Sequence, residues 1–516
     1  MQAMKDIIYV LDFGSQYSHL ITRRIRELGV FAELVAPDID LNKLKNSKGI
    51  ILSGGPQNLS DSGSLRVDKK VFDLGQWGIP ILGICYGMQL TAFMLGGKVK
   101  AGKKKEYGAT EIRISRHFLF SGLKANQMTW MSHGDQVVKM PKGFSKIASS
   151  QNCPISAMAN NTKKIYGLQF HPEVVHTKNG TKILDNFLKI CKAKRSWSMK
   201  DFISKSIKKI KKDIGQDKVI CALSGGVDSS VAATMVHKAI GKNLTCIYVD
   251  TGLMRAHETD KLRVMFKNHL HINLKIIKAE KQFFAKLKNV TDPEKKRKII
   301  GELFIRIFEK EARKLGKVKY LVQGTLYTDA VTSGVSIGGK HTASIKSHHN
   351  VGGLPKKMDF KLIEPLRELY KDEVRQIGRM LGLHKSVTER QPFPGPGLAV
   401  RIIGEVTKKR VETLRLADAI VCEEIENSGK ELKKLQQYFA VLPDLKSVGV
   451  QGDARTYGHP IIVRALTSKE LLTVDWAKLP YKLLEKISTR ITNEVKGINR
   501  VVYDITSKPP GTVEWE

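Results

Sequence analysis

The heptapeptide Ser224-Gly-Gly-Val-Asp-Ser-Ser230 stands between the apolar run Val219-Ile-Cys-Ala-Leu223 and the helix-like Val231-Ala-Ala-Thr-Met-Val236. An apolar run, a glycine turn and a second apolar run spell a strand, a tight loop and a helix, which commits this part of the chain to an α/β layer. Gly225 and Gly226 carry no Cβ, so their amides can approach an anion closely, and the helix that follows aims its positive end at the same point. The loop is not of the Walker type: no G-x-x-x-x-G-K-[S/T] string occurs anywhere in the chain. Asp228 stands inside it instead. An acid there repels phosphate unless a divalent cation lies between them, so Mg²⁺ is expected, with Asp228 as its ligand. Ser224, Gly225, Gly226, Val227, Asp228, Ser229 and Ser230 are then the triphosphate contacts.

At 516 residues the chain is long enough for about three domains, and it shows neither a secretory leader nor an 18-residue apolar run. A soluble, cytoplasmic protein without a membrane partner is expected. Six cysteines, at 85, 153, 191, 221, 246 and 422, follow no C-x-x-C or Cys/His spacing, which argues against a disulfide scaffold and against zinc. The formal net charge of +37, from 87 Lys and Arg against 50 Asp and Glu, would attract a polyanion. Yet the basic residues are spread along the chain with no nucleic-acid motif among them. In the densest patch, Lys205 to Lys212, Ile203, Ile207, Ile210 and Ile214 recur at helical spacing, so the lysines read as the wet face of an amphipathic helix. No nucleic acid is expected as a partner.

Short β-branched runs alternate with helical patterns through the first third: Ile7 to Leu11, Tyr17 to Leu28, Gly49 to Leu52, Pro80 to Ile84. A polar stretch from Cys191 to Lys200 reads as a linker. A second α/β unit begins with Val219 to Leu223 and Cys246 to Asp250, continues with a helix from Pro293 to Lys314, and ends at a Pro/Gly-rich hinge, Gln391 to Gly397. The remainder, with strand-like Ser447 to Val450, Ile461 to Val463 and Val501 to Tyr503 and a helix from Pro480 to Val495, reads as a small α+β module. The expected architecture is two doubly wound parallel-sheet domains, 1–195 and 196–395, followed by a C-terminal domain, 396–516.

Pro80-Ile-Leu-Gly-Ile-Cys-Tyr-Gly-Met-Gln89 places Cys85 at a sharp strand-to-helix turn, with Gly83 and Gly87 allowing close approach, as in a nucleophile elbow. A thiol at a helix N-terminus is disposed to attack a carbonyl. His171 and Glu173, in Phe170-His-Pro-Glu173, follow a predicted strand at Lys164 to Leu168 and reach the elbow if the sheet is parallel. His171 would take the thiol proton and Glu173 would orient the imidazolium. Backbone amides of Gly55, in Ser53-Gly-Gly-Pro56, and of Tyr86 are placed to receive an oxyanion. The other five cysteines have no such surroundings and read as structural. His133, in Ser132-His-Gly-Asp-Gln136, reads as a loop or interface residue rather than a second base.

The loop at 224–230 resembles that of ATP pyrophosphatases, which grip the pyrophosphate end and expose the α-phosphorus to attack. The Cys85, His171 and Glu173 set resembles that of class I glutamine amidotransferases, which form a glutamyl thioester and release ammonia; by that resemblance Gln89 contacts the glutamine. Four longer strings are more specific: Gln391-Pro-Phe-Pro-Gly-Pro-Gly-Leu-Ala-Val-Arg401, Ile345-Lys-Ser-His-His-Asn-Val-Gly-Gly353, Gly452-Asp-Ala-Arg-Thr-Tyr457 and Thr506-Ser-Lys-Pro-Pro-Gly-Thr-Val-Glu-Trp-Glu516. In these the chain resembles the glutamine-hydrolysing GMP synthetase family over essentially its full length. The resemblance implies amination of XMP to GMP through adenyl-XMP, with ATP converted to AMP and pyrophosphate, by a homodimer whose C-terminal domain pairs subunits and binds XMP. It implies an adenine-nucleotide α-hydrolase-like fold for the second domain. It assigns Arg297 and Gln451 to XMP, Val249 and Asp250 to the adenine and ribose, and Lys346, His348, His349 and Asn350 to a lid over ATP; the sequence itself offers Lys508, beside two φ-restricted prolines, for the XMP phosphate and Glu514 for its ribose hydroxyls.

The segment Gln323 to Ser333 departs from the family's wording at Thr328, where proline is typical, and at Thr332, where glutamate is typical; Asp329 is retained. Two rival readings remain. A tRNA-modifying ATP pyrophosphatase would explain the basic balance but has no use for the N-terminal triad, and a decayed nucleotide sensor would have lost Cys85, His171 or Asp228.

Overall fold

The computed structural model describes residues 6–15, 17–59, 61, 63–316, 318–332, 360–429, 432, 435–467 and 474–516. They form two compact units, one ending at Asp201 and the other beginning at Phe202.

The first unit is built on nine strands: β1 (Ile7–Leu11), β2 (Phe31–Val35), β3 (Gly49–Leu52), β4 (Ile81–Ile84), β5 (Lys98–Ile114), β6 (Asn126–Lys139), β7 (Ser145–Ser149), β8 (Ala157–Asn160) and β9 (Ile165–Leu168). Their order is β2-β1-β3-β4-β9-β8-β7-β5-β6. From β2 to β9 neighbours are parallel; beyond β9 they are antiparallel. Every residue of β3, β4 and β9 is buried, as expected of central strands covered on both faces. Since β4 and β9 are parallel neighbours, the segments leaving their carboxyl ends emerge side by side. The antiparallel extension, dominated by the long β5–β6 hairpin, is what a purely parallel reading of this domain omits.

The second unit opens with a wholly parallel sheet of β10 (Val219–Leu223), β11 (Leu244–Asp250), β12 (Asn273–Lys278), β13 (Tyr320–Val322) and β14 (Lys361–Ile363), in the order β12-β11-β10-β13-β14. The chain runs outward from β10 on one side and then returns to its other side. The loop after β10 therefore lies at the topological switch point, where open α/β sheets hold ligands. A third sheet, of β15 (Leu435–Val441), β16 (Ser447–Gln451), β17 (Ala454–Thr467), β18 (Asp475–Trp476) and β19 (Ile498–Tyr503), is organised around β17, which pairs with all four others.

Helices Lys408–Asn427 and Tyr481–Glu494 contribute Leu414, Val421, Ile487 and Ile491 to one buried cluster with Ile461 and Val463 of β17. That cluster also takes in Val249, Leu253 and Leu398, so the core runs on from the nucleotide-type sheet into the C-terminal module. The Gln391 to Gly397 stretch, read from sequence as a hinge, leads straight into this core. Leu398, Ala399 and Val400 are fully buried, Leu398 N donates to Leu253 O at 2.7 Å, and Gly397 lies so close to Leu253 O that a Cβ would sit 2.4 Å from it. Proline and glycine here serve close packing rather than bending. The Lys205 to Lys212 patch does lie on a helix, Met199–Ile214, with Ile210 and Ile214 buried and its lysines exposed.

Candidate active sites

Cys85 is the residue between β4 and the helix Tyr86–Met94, and its φ of 52° places it in the left-handed region where a non-glycine residue is strained. Such strain persists only where the surroundings enforce it. They do so here through two glycines: a Cβ on Gly83 would lie 2.5 Å from the Gly87 backbone, and one on Gly87 would lie 2.3 Å from Leu52 O. Strand β4, the helix and the end of β3 thus meet backbone to backbone, and the thiol is held at the apex. Cys85 Sγ faces Ser132 O at 3.6 Å and Gln169 Nε2 at 3.7 Å.

His171 and Glu173 leave the end of β9, beside β4. Both are buried, and His171 Nδ1 lies 2.7 Å from Glu173 Oε1. The imidazole is fixed from several sides: its backbone N donates to Trp130 O at 3.0 Å, its carbonyl accepts from Thr177 Oγ1 at 2.6 Å, and the Tyr17 ring packs edge-on at 5.3 Å. Burial alone would lower the pKa of this histidine, but the Glu173 carboxylate and the hydrogen bond to Cys85 outweigh it and push the imidazole up to about 10. Glu173 Oε2, also buried, has no hydrogen-bond partner among the described residues.

Gly54 and Gly55 pass against the same centre. A Cβ on Gly54 would lie 3.2 Å from His171 Cε1, and one on Gly55 would lie 2.7 Å from Phe13 O. Among the described residues no backbone acceptor takes the N–H of Gly55 or of Tyr86. Gln89 is buried and donates to Asp135 O at 2.7 Å and to Gln169 Oε1 at 3.4 Å. Gln169 itself was missed by the sequence reading. It stands in the bent segment that follows β9, where no regular period applies, and no local pattern marked it.

His133 corrects the sequence reading. It lies in β6, not in a loop, and is buried, with Nε2 3.2 Å from Glu106 Oε2 and Nδ1 3.0 Å from Asp135 O. Cys153, 20 residues on in sequence, joins these two; their ligand atoms lie within 4.8 Å of one another. Burial pushes the Cys153 thiol up to about 11. The distances along the chain hide this group from any motif search.

In the second unit, Gly226 caps the helix Val227–Ile240 and Gly225 takes φ of 77°, a conformation suited to glycine. Serine hydroxyls brace the turn from within: Gly226 N donates to Ser224 Oγ at 3.2 Å, Ser224 N to Ser229 Oγ at 3.3 Å, and Ser230 Oγ to Gly226 O at 2.8 Å. The N–H groups of Gly225, Val227 and Asp228 meet no backbone acceptor among the described residues, leaving a cradle for an anion. Gly324, at the end of β13, crosses so closely that a Cβ would lie 2.9 Å from Asp228 C. Two basic residues that sequence could not connect to the loop complete it. Lys371 Nζ lies 2.5 Å from Asp228 Oδ2, and Arg390 donates to Gly225 O while pairing with Glu258. Asp228 Oδ1 is buried with no hydrogen-bond partner among the described residues, and such a carboxylate oxygen beside an anion cradle fits a divalent cation.

Asp250 accepts from Thr259 Oγ1 at 3.0 Å and Val249 is buried at the end of β11. Thr328 falls in the first turn of the helix Tyr327–Thr332, where proline is also tolerated, so the substitution leaves the helix start intact. Asp329 caps that turn, accepting from Leu326 N at 3.1 Å. Lys346, His348, His349 and Asn350 lie outside the described residues, as does the side chain of Gln451 in β16.

The C-terminal tail is tied down rather than frayed. Arg464 donates to Thr506 O, Thr512 O and Val513 O at 3.0, 2.6 and 3.0 Å. Glu514 is gripped by the fully buried Arg401 at 2.9 and 3.0 Å and by Gln437 at 2.9 Å. Lys296 Nζ lies 2.5 Å from Glu516 Oε2, and Arg297 donates to Glu516 O. Lys508 bridges by its backbone to Val474, and its side chain has no partner among the described residues. The structure thus places Arg297 and Glu514 in the anchoring of the tail, and Lys508 within it.

A thiol elbow with a buried His–Glu pair and a glycine cradle with an aspartate inside it define a glutamine amidotransferase joined to an ATP-pyrophosphatase-type nucleotide domain. Family models agree: Glutamine amidotransferase class-I matches residues 9–191, NAD synthase residues 198–328, and GMP synthase C terminal domain residues 423–515. The GMP synthase [glutamine-hydrolyzing] of Clostridium tetani is 54% identical over 516 residues, covering 99% of this chain and 100% of that protein. Its counterpart in Clostridium novyi is also 54% identical, over 520 residues and 100% of both chains. A crystal structure from Thermoplasma acidophilum, described as one subunit of a GMP synthase and 36% identical, covers 37% of this chain and 96% of that one with a TM-score of 0.34. The chain belongs to the glutamine-hydrolysing GMP synthase family, ligases that use glutamine as amido donor.

Proposed function

We propose that this protein makes GMP from XMP, ATP and glutamine, residues 1–195 liberating ammonia, 196–395 activating XMP, and 396–516 binding XMP and pairing subunits. Cys85 Sγ attacks the glutamine carboxamide carbon, the N–H groups of Gly55 and Tyr86 receive the developing oxyanion, and Gln89 borders the bound glutamine. His171 carries the proton from sulfur to the departing nitrogen, Glu173 holds the imidazolium, and water then hydrolyses the glutamyl thioester to glutamate. The observation that carries this half is the strained Cys85 beside a buried His171–Glu173 pair 2.7 Å apart.

In the nucleotide domain, the N–H cradle at 225–228 and the serines 224, 229 and 230 hold the pyrophosphate end, and Val249 with Asp250 borders adenine and ribose. Lys371, at the start of the helix Lys371–Met380, is placed to exchange its bond to Asp228 for a phosphate oxygen. Asp228 would hold Mg²⁺, which when bound offsets the negative charge of the phosphates. The C2 oxygen of XMP attacks the α-phosphorus, pyrophosphate leaves, and ammonia displaces AMP at C2. Arg297, Gln451, Lys508 and Glu514 are proposed to contact XMP, and the segment with Lys346, His348, His349 and Asn350 to cover ATP. For Glu514 this requires the Arg401 grip to be shared with, or yielded to, the nucleotide.

Homodimer formation is supported by exposed apolar side chains on the β16–β17 hairpin: Val448, Val450 and Tyr457 are 50%, 75% and 64% exposed. Among the described residues no helix is long and apolar enough to cross a membrane, and a cytoplasmic site of action is proposed. The test is Cys85→Ala: glutamine-dependent GMP formation should vanish while ammonium-dependent formation persists. Equal loss of both would refute the division of labour.

A further inference from the structure

The antiparallel extension of the first unit holds a cluster that the glutamine chemistry does not use. Glu106 of β5, His133 of β6 and Cys153, between β7 and β8, are all buried, and one ligand atom from each lies within 4.8 Å of the others. Hydrogen bonds fix which atoms face one another. The Asp135 carbonyl only accepts, so His133 Nδ1, 3.0 Å away, carries the proton. In the neutral ring Nε2 is then a lone pair, and it lies 3.2 Å from Glu106 Oε2, another acceptor. Two acceptors at that separation need a proton or a cation to hold them together.

The outer contacts are those of metal-binding side chains. The far N–H of the imidazole goes to a backbone carbonyl, and the other carboxylate oxygen, Glu106 Oε1, accepts from Ser150 Oγ at 2.7 Å. The same hydroxyl accepts from Cys153 N at 2.9 Å, so one serine orients two of the three donors. We propose that Glu106, His133 and Cys153 bind one divalent cation of the zinc type per chain. A nitrogen, a carboxylate oxygen and a thiolate sulfur suit a borderline ion, whereas Mg²⁺ and Ca²⁺ take oxygen donors. Three protein donors leave a fourth position, and binding releases the Cys153 thiol proton to solvent. The cation pins β6 where its Ser132 carbonyl borders Cys85 Sγ at 3.6 Å and its Asp135 carbonyl accepts from Gln89 at 2.7 Å.

The experiment uses the full-length chain carrying Cys85→Ala, so that the nucleophile supplies no thiolate, stripped with chelator and titrated with Co²⁺ and then Zn²⁺. With Mg²⁺ in excess to occupy Asp228, one Co²⁺ per chain is expected, with thiolate-to-cobalt charge transfer in the near ultraviolet, displaced by Zn²⁺. Adding Cys153→Ser should remove the charge-transfer band, and Cys153→Ser or His133→Gln should weaken Zn²⁺ binding at least about tenfold. Should His133→Gln not fold, Cys153→Ser decides alone, since its hydroxyl can keep the bond to Ile155 O that the thiol makes at 3.4 Å. Absence of stoichiometric binding, or spectra and affinity unchanged by Cys153→Ser, overturns the site and leaves a buried His133–Glu106 pair sharing one proton.

Discussion

Replacing Glu173 by glutamine tests the electrostatics of the thiol centre with little change of shape. The amide oxygen can still accept from His171 Nδ1, now 2.7 Å from Oε1, but the negative charge is gone. A hydrogen bond to a charged group contributes about 1.5–3 kcal/mol. A neutral acceptor in its place keeps about 0.5–1.5 kcal/mol of that, so about 1–1.5 kcal/mol is lost, which at 1.36 kcal/mol per pH unit lowers the imidazole from about 10 by about one pH unit, and the lost attraction of a buried carboxylate adds to that. Burial, which acts downward on this ring, is then opposed chiefly by Cys85. In the native protein the folded value lies above the ordinary 6.5, so the stability His171 contributes is fully present below about pH 6.5 and is lost as pH rises to about 10. The variant should show a smaller loss over that window, read as the difference in thermal midpoint against pH. Carboxylate-to-amide exchange in a nucleophile–histidine–acid triad costs about 10⁴ in turnover, and glutaminase kcat/KM should fall about 10²- to 10⁴-fold. Glutamate release is measured with XMP and ATP saturating, and GMP formation from ammonium serves as the control, expected within about twofold of the native rate. Glutaminase activity within about threefold of native would refute the role given to Glu173.

Three further outcomes are expected. Gly87→Ala forces a Cβ to within 2.3 Å of Leu52 O, and overpacking of about 1–3 kcal/mol should shorten the half-life of glutaminase on heating while ammonium-dependent synthesis outlasts it. Asp228→Asn should stop adenylation with either nitrogen source; unchanged ammonium-dependent turnover would remove the cation from Asp228. Arg401→Met leaves Glu514 without its bidentate partner, and breaking a buried pair costs about 3–5 kcal/mol, so KM for XMP should rise and the C-terminal tail should become sensitive to carboxypeptidase.

The parts of this molecule legible in its sequence are those where one local pattern fixes both structure and chemistry. Val219 to Leu223 and the glycines after it could only be a strand feeding an anion-binding turn, and the structure has β10 and its cradle at those residues. Cys85 was legible because Gly83 and Gly87 flank it at the spacing a sharp elbow needs. The β5–β6 hairpin was not: Lys98-Val-Lys-Ala-Gly-Lys-Lys-Lys carries too few apolar side chains to show a period, and its strands are stabilised by pairing with each other. His133 was misplaced because the buried face of β6 runs Gln127, Thr129, Met131, His133, mostly polar side chains that show no apolar alternation. Lys371 and Asp228 are 143 residues apart, and Arg401 and Glu514 are 113 apart, so only the folded chain brings those charges together. The 391–397 stretch misled in the opposite sense, because proline and glycine mark close packing as readily as they mark a bend.

The most direct measurement mixes the protein with XMP, ATP, Mg²⁺ and glutamine and counts every product of one reaction. GMP, AMP, pyrophosphate and glutamate in equal amounts, with glutamate and GMP both lost in Cys85→Ala and GMP restored by ammonium, is the expected result. ADP with orthophosphate in place of AMP with pyrophosphate would contradict the account at its centre.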